Sequence, residues 1–337
     1  EICVCDWSSD VCSSDLRMTE ILGIEYPIMC GGLQNAANPE LAVAISEAGG
    51  LGITNISMYP NLDDFRTTMK WMRAHTSKPL AVNISMIPNI DMGDKIRQYL
   101  TICGEEGINV IETSGKDPVE FIPLIHSYGM KIVHKVPMAK HALRAQKSGV
   151  DCVTVVGSEA AGHPSPDLIG TMVVANRAVE LCSIPVLVGG GICNGRSLAA
   201  ALALGAEGVV IGTRFLTANE CFISQNHKQW IVDHMEKDTI LCQKAIKNMI
   251  RVAHNAAADE CLEMEKKPGV TLQDLMPIIS GAAGKQAYQS GDTGRGMFAV
   301  GQDIGLIHDI KPAKEIIDEI IQEAVGSATR LAKLAKA

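Results

Sequence analysis

Short apolar runs alternate with amphipathic segments along the chain from Met18 onwards. Several runs are almost unbroken by polar residues, which is typical of parallel strands covered on both faces. The segments between them carry apolar positions at helical spacing, and one begins with Asn38 at the N-cap and Pro39 at the first helical position. The pattern predicts eight strands, at residues 27–30, 51–55, 80–85, 109–113, 131–135, 152–156, 186–188 and 208–211. The later helices are predicted at 94–105, 117–126, 139–147, 165–181 and 195–204.

Eight successive strand–helix units predict a (β/α)8 TIM barrel. A doubly wound open sheet is the alternative, and it is less favoured because no early GxGxxG motif follows a strand. After the eighth strand, residues 218–267 carry apolar positions mostly at helical intervals, and a glycine-rich stretch at 281–305 precedes a last amphipathic helix. We therefore expect a barrel at 17–217 and 290–337, interrupted by a helical insertion at 218–289.

The first sixteen residues differ from the rest of the chain. They hold four acidic residues and no basic one, and they repeat the triplet Ser-Ser-Asp. A secretory signal needs a basic start and an apolar stretch, and neither is present. We expect residues 1–16 to be a non-native extension, with an acidic disordered native tail as the alternative.

Charge and cysteine usage narrow the class of protein. The 337 residues contain 30 Lys and Arg against 38 Asp and Glu, a net charge of -8, which argues against a nucleic-acid binder. The 11 Cys are scattered without a CxxC pair, so we expect reduced thiols, no metal site and a cytoplasmic location. No apolar run is long enough to span a membrane.

Unusual residues collect where the predicted strands end, which is where the active site of such a barrel lies. Gly189, Gly190 and Gly191 follow the seventh strand, and Gly212 with Thr213 follows the eighth. Backbone N–H groups of such loops can hold a phosphate, either of a substrate or of a cofactor. The alternative is that these glycines serve only tight turns.

Residues at two further strand ends are candidates for cofactor binding or catalysis. Lys135 ends the fifth strand and needs an electron-rich partner, either the edge of a flavin ring or the carboxylate of Glu112. His163, in the loop after the sixth strand, suits general acid–base work, although a loop histidine can also simply cap a turn. His134 and Cys30 are weaker candidates, because each is commonly structural.

The ordered motifs of the chain resemble those of the nitronate monooxygenase (2-nitropropane dioxygenase) family. They are PIMCGG, AGGLG, VNIS, IETSG, KIVHK, GSEAAGHP, VLVGGGI, LGAEGVVIGTRF and GQDIGLI, and they extend from Met18 to the C-terminus. The resemblance implies a TIM barrel that binds FMN non-covalently, with His163 as the catalytic residue. It implies that the FMN phosphate lies on Gly190, Gly191, Gly212 and Thr213, and that the ring lies near Met29, Gly31, Asn83, Ser85, Lys135 and Gly162.

Three departures from the family pattern leave the substrate open. Cys30 follows Met29 where members commonly carry Gln, the histidine loop ends Ala-Gly-His-Pro, and Ile87-Pro88 follows the third strand. The last two features look more like the NADH:quinone reductase branch. The resemblance therefore implies oxidation of alkyl nitronates with O2, with an NAD(P)H:quinone reductase and an FMN-dependent enoyl-ACP reductase as alternatives. The partners expected are a small nitronate, quinone or enoyl thioester, with NAD(P)H as a reductant in the reductases, and a homodimer stays open.

Overall fold

Eight parallel strands form a nearly closed barrel in the computed structural model, which describes residues 16–59, 61–86 and 93–334. Strands β2 to β8 are neighbours in chain order, and β1 pairs with β8. A parallel bridge between Met29 and Leu51 brings β1 against β2, with the amide of Cys30 donating to the carbonyl of Leu51 at 2.9 Å. The predicted TIM barrel is confirmed. The strands are β1 Ile28–Cys30, β2 Gly52–Asn55, β3 Leu80–Ser85, β4 Val110–Ser114, β5 Lys131–Val136, β6 Cys152–Val156, β7 Val186–Gly189 and β8 Gly208–Ile211.

Helices cover the outside of the barrel. In chain order they are α1 Arg17–Leu22, α2 Pro39–Glu47, α3 Leu62–His75, α4 Gly93–Glu105, α5 Ile122–Ser127, α6 Ala139–Ser148, α7 Thr171–Leu181, α8 Gly195–Ala203 and α9 Thr213–Leu216. The last helix, α14 Ala313–Ala332, packs between α8 and α2 and so closes the ring, as the sequence predicts. Gly195 allows this contact, because a Cβ there would lie 2.3 Å from the carbonyl oxygen of Ile320.

Two barrel helices begin later than predicted. α5 begins at Ile122 instead of residue 117, and α7 begins at Thr171 instead of residue 165. Proline is the reason in the second case, since Pro164 and Pro166 restrict the residues before them to extended conformations. Asn38 stands at the N-cap of α2 as predicted, but its side chain binds Glu40 and the backbone of residues 220 and 222 instead of the helix end.

The segment after β8 forms a small unit with its own hydrophobic core. It contains α10 Gln225–Asp233, α11 Ala256–Glu265, α12 Leu272–Ile279 and α13 Gly281–Ser290. It also contains two antiparallel strands, β9 Thr239–Cys242 and β10 Ile250–Ala253, that the prediction of a mostly helical segment overlooked. Buried apolar residues of β9, β10, α11 and α12 form a cluster separate from the barrel core, whereas Ile231 of α10, Ala253 of β10 and Tyr288 of α13 belong to the barrel core. The domain boundaries at residues 217/218 and 289/290 stay a prediction.

Two predictions fall largely outside the described residues: the nature of the N-terminal extension, of which only residue 16 is described, and the role of Ile87-Pro88. Among helices within 16–59, 61–86 and 93–334, none combines the length and apolarity needed to cross a membrane.

Candidate active site

A row of polar side chains crosses the C-terminal ends of β2, β3 and β4. Asn55, Asn83 and Glu112 are direct neighbours in the parallel register, and all three are buried. The Nδ2 of Asn55 donates to Oδ1 of Asn83 at 2.6 Å, and the Nδ2 of Asn83 donates to Oε2 of Glu112. The row therefore fixes the amide of Asn83, a predicted cofactor residue, by hydrogen bonds on both sides.

The first strand contributes small residues beside this row. Gly32 packs so closely on Asn83 that a Cβ would lie 2.6 Å from the Cγ of Asn83, so only glycine fits there. Gly31 donates its amide to the carbonyl of Ile211 at 2.8 Å. Met29 is fully buried, whereas Ser85 at the end of β3 is exposed.

Lys135 is the residue before the last of β5 and has a half-buried side chain, and its α-carbon pairs in register with those of Ser114 and Thr154. Within the described residues, no carboxylate forms an ion pair with it. The alternative predicted from the sequence, an ion pair with Glu112, is not formed, and one oxygen of Glu112 accepts from Asn83 instead. The other oxygen, Oε1, is buried and has no partner in the described part of the chain. The lysine charge is thus available at the barrel mouth.

His163 lies in the loop after β6 and is exposed to the mouth of the barrel. The surrounding protein lowers the pKa of His163 by desolvation, the charge of Lys135 lowers it further, and a hydrogen bond with the side chain of Asn248 opposes both effects. A neutral imidazole that can accept a proton is the form this environment favours.

The loop that carries His163 is held by β10. Gly162, with a φ of 76°, forms an isolated antiparallel bridge with Arg251, whose amide donates to the Gly162 carbonyl at 2.7 Å. The Nε of Arg251 donates to the carbonyl of Ser158 at 3.1 Å, and its Nη1 donates to Oγ1 of Thr239 at 2.9 Å. This arginine is 7% exposed, and burial lowers its pKa. The insertion therefore anchors the histidine loop.

The two weaker candidates are structural. His134 is buried, its Nδ1 lies 2.8 Å from Oγ1 of Thr113, and burial lowers the pKa of His134 to about 4. Cys30 is fully buried, its thiol donates to the carbonyl of Gly31 at 3.3 Å, and burial raises the pKa of Cys30 well above its ordinary value. Neither group reaches the mouth of the barrel in a reactive form.

Glycine loops after β7 and β8 form a cradle of free amides. Gly190 and Gly191 have φ values of 94° and 72°, a conformation that favours glycine. A Cβ on Gly190 would lie 3.0 Å from Oγ1 of Thr171 and 3.1 Å from the amide of Ala160. Within the described residues, the amides of Gly190, Gly191 and Gly212 donate to no protein acceptor. Such an array suits an anion.

Two carboxylates flank this cradle. Glu159 accepts from the amide of Thr171 at 3.0 Å and so occupies the N-terminus of α7. Asp303 is 5% exposed and accepts from Oγ1 of Thr213 at 3.0 Å, and burial raises the pKa of Asp303 to about 6. The hydroxyl of Thr213, a predicted phosphate contact, also accepts from the amide of Gly301 at 3.0 Å. The glycine-rich segment thus reaches the cradle.

Several residues of the site escape sequence reasoning. Asn55 follows the rule used for the other strand ends, and polarity at a strand terminus was the available signal. Arg251 and Asn248 lie in the insertion, where no local pattern indicates contact with the histidine loop. Asp303 stands in a glycine-rich segment whose contacts cannot be inferred from sequence.

The barrel and its polar mouth define an enzyme of the TIM-barrel class, and comparison with known proteins defines the family. The sequence model of the family described as nitronate monooxygenase matches residues 15–323. The chain belongs to this family.

Curated relatives and a solved structure resemble the chain over nearly its whole length. The (3aS,4S,5R,7aS)-5-hydroxy-7a-methyl-1-oxo-octahydro-1H-indene-4-carboxyl-CoA dehydrogenase of Rhodococcus jostii is 28% identical over 94% of this chain and 98% of its own. A probable nitronate monooxygenase of Staphylococcus saprophyticus is 26% identical over 91% and 97%. The structure of FabK from Thermotoga maritima is 34% identical over 95% and 99%, with a TM-score of 0.87. The two curated relatives are named for oxidation–reduction reactions, and the chain is an oxidoreductase of this family.

Proposed function

We propose that the protein is an FMN-dependent oxidoreductase that oxidises alkyl nitronates, with His163 as its acid–base residue. The observation that carries the proposal is the half-buried Lys135 at the barrel mouth. Lys135 has no carboxylate partner within the described chain, and its charge acts on His163. A cation left unpaired beside a histidine suits an anionic or electron-rich ligand.

The residues present fit FMN. Within the described residues, the amides of Gly190, Gly191 and Gly212 donate to no protein acceptor, and the positive φ values of Gly190 and Gly191 favour residues without a side chain, as expected of a loop that binds a phosphate. The positive charge of Lys135 would stabilise the N1–C2=O edge of the flavin ring, where negative charge develops on reduction. FMN, when bound, supplies the uptake of electrons from the substrate and their delivery to O2.

The chain's own residues have defined tasks in this proposal. A nitronate is an anion, and the positive charge of Lys135 attracts it to the mouth. With a neutral nitroalkane, the neutral imidazole of His163 removes the proton from the carbon that bears the nitro group. The lowered pKa of His163 keeps the imidazole in this form at neutral pH.

A thioester substrate is the second candidate, and the specific observation in its favour is the likeness to FabK. That enoyl-ACP reductase is 34% identical over 99% of its length, more than the 26% of the nitronate monooxygenase compared here. The Rhodococcus relative is a carboxyl-CoA dehydrogenase. The carbon beside a thioester carbonyl has the same chemistry as the carbon beside a nitro group, since both yield a stabilised anion on proton loss. His163 would exchange the proton there.

One anaerobic experiment separates these candidates. The purified protein, saturated with FMN, is mixed in a stopped-flow instrument with propyl nitronate or with NADH or NADPH. The reduced protein is then mixed separately with crotonyl-CoA and with a quinone. Bleaching of the flavin absorbance by nitronate, with no bleaching by either pyridine nucleotide, is the result expected for nitronate oxidation. Bleaching by NADH or NADPH followed by reoxidation with crotonyl-CoA establishes the thioester reductase, and reoxidation by a quinone alone establishes the quinone reductase. A protein that takes up no FMN contradicts all three.

A further inference from the structure

Two arginines of the described chain are almost completely buried, and only one of them has a carboxylate partner. Arg214 is 6% exposed, and its Nη2 forms an ion pair with Asp309. Arg251 is 7% exposed, yet among the described residues no carboxylate lies within ion-pair distance of it. Burial lowers the pKa of Arg251, and the charge of Glu159 opposes this effect from beyond ion-pair distance. A buried charge without an opposite charge is costly, so we expect a ligand to supply one.

Two of the three guanidinium nitrogens of Arg251 are bound to the protein. Nε donates to the carbonyl of Ser158 at 3.1 Å, and Nη1 donates to Oγ1 of Thr239 at 2.9 Å. Nη2 donates to no acceptor in the part of the chain that the structure describes, and it is not one of the fully buried atoms without a partner, so it reaches the solvent. One N–H of Nη2 is parallel to the N–H of Nε, because the guanidinium is planar. The free donor therefore faces the loop that carries His163.

The surrounding backbone fixes Arg251 in this position. Its amide donates to the carbonyl of Gly162 at 2.7 Å, and the amide of Gly162 donates back at 3.1 Å. Arg251 pairs in register with Leu241 on β9, and Thr239 lies two residues away on the same face of the hairpin. The side chain is thus held at both ends, which reduces the entropy that a ligand must remove on binding.

The glycine cradle after β7 and β8 offers amides but little positive charge. Arg214 of α9 is neutralised by Asp309, and the carboxylates of Glu159 and Asp303 flank the cradle. A phosphate monoester carries a charge of about -1.5 to -2 at neutral pH. A phosphate placed between two carboxylates therefore needs a cation in addition to the backbone amides.

Arg251 and the cradle adjoin the same turn after β6. On one side of this turn, a Cβ on Gly190 would lie 3.1 Å from the amide nitrogen of Ala160. Two positions earlier in the turn, the carbonyl of Ser158 accepts from Nε of Arg251. The unpaired guanidinium is therefore separated from the glycine amides by a single turn of the chain.

We propose that Arg251 binds a phosphate group of a ligand at the barrel mouth through Nη2, while its bond to Ser158 fixes the direction of this donor. The guanidinium supplies the positive charge that the glycine amides lack. Two sources of phosphate fit this chemistry. One is FMN in the cradle, and this source rests on the proposed function. The other is a phosphate of a second ligand, such as NADPH or a coenzyme A thioester.

The test compares FMN with riboflavin, which has the same ring system and no phosphate. Affinities are measured by quenching of flavin fluorescence in the full chain. In Arg251→Gln, the Kd of FMN should rise by about tenfold or more, the value of one charge-assisted hydrogen bond, while the Kd of riboflavin changes by less than about twofold. Arg295→Gln is the matched control, because this arginine is 84% exposed and pairs with Asp292, and it should change neither Kd.

Thr239→Val separates the charge of Arg251 from its role in anchoring the histidine loop. The substitution removes the acceptor of Nη1 and keeps the guanidinium, so the preference for FMN over riboflavin should remain. Equal losses of FMN and riboflavin affinity in Arg251→Gln would mean that Arg251 only holds the loop, which overturns the proposal. If far-UV circular dichroism shows that Arg251→Gln does not fold, Arg251→Lys replaces it. It should weaken FMN binding at least about threefold relative to riboflavin, since an ammonium lacks the planar fork, and an unchanged preference overturns the proposal.

The second source is tested by titrating the same proteins, with FMN added, with NADP+ and coenzyme A in a calorimeter. Pantetheine, which lacks phosphate, is the control ligand for coenzyme A. An unchanged FMN affinity together with an about tenfold loss of NADP+ or coenzyme A affinity in Arg251→Gln assigns the phosphate to the second ligand. If no phosphate ligand binds more weakly to the folded variant, the proposal is overturned. A wild type that binds neither FMN nor riboflavin refutes the proposed function instead, and the NADP+ and coenzyme A titrations then decide the role of Arg251.

Discussion

Asn83 and Glu112 join β3 and β4 inside the barrel through a buried side-chain hydrogen bond. The two residues are direct neighbours in the parallel register, and Asn83 also accepts a hydrogen bond from the side chain of Asn55 on β2. These three polar residues lie in one layer of the barrel and support the floor of the candidate site. The cost of burying them is offset only while each retains its partner.

The first prediction is that Asn83 and Glu112 are strongly coupled in stability. Asn83→Ala leaves the acceptor of Glu112 buried without a partner and removes one of the two acceptors of the Asn55 amide, which still donates to the carbonyl of Gly32 at 3.0 Å. The substitution should lower the free energy of unfolding by about 2–4 kcal/mol. In a double-mutant cycle with Glu112→Ala, measured by urea unfolding, the coupling energy should exceed about 1 kcal/mol.

The exposed pair Lys314 and Asp318 on α14 is the matched control for this cycle. These residues form a surface ion pair, for which about 0.3–0.5 kcal/mol of coupling is expected. If the buried pair couples no more strongly than this surface pair, the polar row does not act as a unit.

The second prediction concerns the glycine cradle. Gly190→Ala adds a methyl group at a φ of 94° and 3.0 Å from Oγ1 of Thr171, so the loop must shift from the position that exposes its amides. FMN affinity, measured by quenching of flavin fluorescence, should fall by about tenfold or more. Gly326→Ala is the control, since a Cβ on this residue of α14 meets nothing within 4 Å. Unchanged FMN affinity in Gly190→Ala would remove this loop from the phosphate site.

The barrel strands could be predicted from the sequence almost residue by residue, because a parallel strand buried on both faces is a continuous apolar run. Helix starts were less predictable, as α7 illustrates: its N-terminus depends on Glu159, twelve residues earlier, which accepts from the amide and hydroxyl of Thr171. β9 and β10 were missed because short strands of mixed polarity have no periodicity that separates them from a helix.

Some residues of the candidate site could likewise be predicted from the sequence and others could not. Lys135 and His163 could be singled out because chain order places them at strand ends, and strand ends meet at the mouth of a barrel. Arg251 could not, because its bond to the carbonyl of Ser158 joins residues 93 apart along the chain. Such contacts depend on how the insertion docks on the barrel, which is a property of three-dimensional packing alone.

The third prediction is that His163→Gln lowers turnover by about 10²–10⁴-fold while FMN content is retained, since general acid–base catalysis contributes about this much. In the wild type, the base is active when the imidazole is neutral. Because the pKa of His163 lies below its ordinary value of 6.5, turnover of a neutral nitroalkane should fall as the pH drops through that lowered pKa. Steady-state rates across pH measure this.

His75→Gln serves as the control for the third prediction, because this exposed histidine on α3 stacks on Trp71 away from the site. Retention of full nitroalkane turnover and of the wild-type pH profile in His163→Gln would show that another group moves the proton.

The fourth prediction is that Asp303 weakens the fold as its carboxyl group ionises. Burial raises the pKa of Asp303 to about 6, above the value near 3.8 of an unfolded chain. The native state therefore binds this proton more tightly than the unfolded state, so the contribution to stability is present below about pH 4 and is lost as the pH rises through about 6.

Asp303→Asn keeps an acceptor for Thr213 but cannot ionise. The difference in the free energy of unfolding between Asp303→Asn and the wild type should shift in favour of the variant by about 1–3 kcal/mol as the pH rises from about 4 to about 7. Urea unfolding of both proteins across this range measures the difference, and a difference that does not change with pH would mean that Asp303 titrates normally in the folded protein.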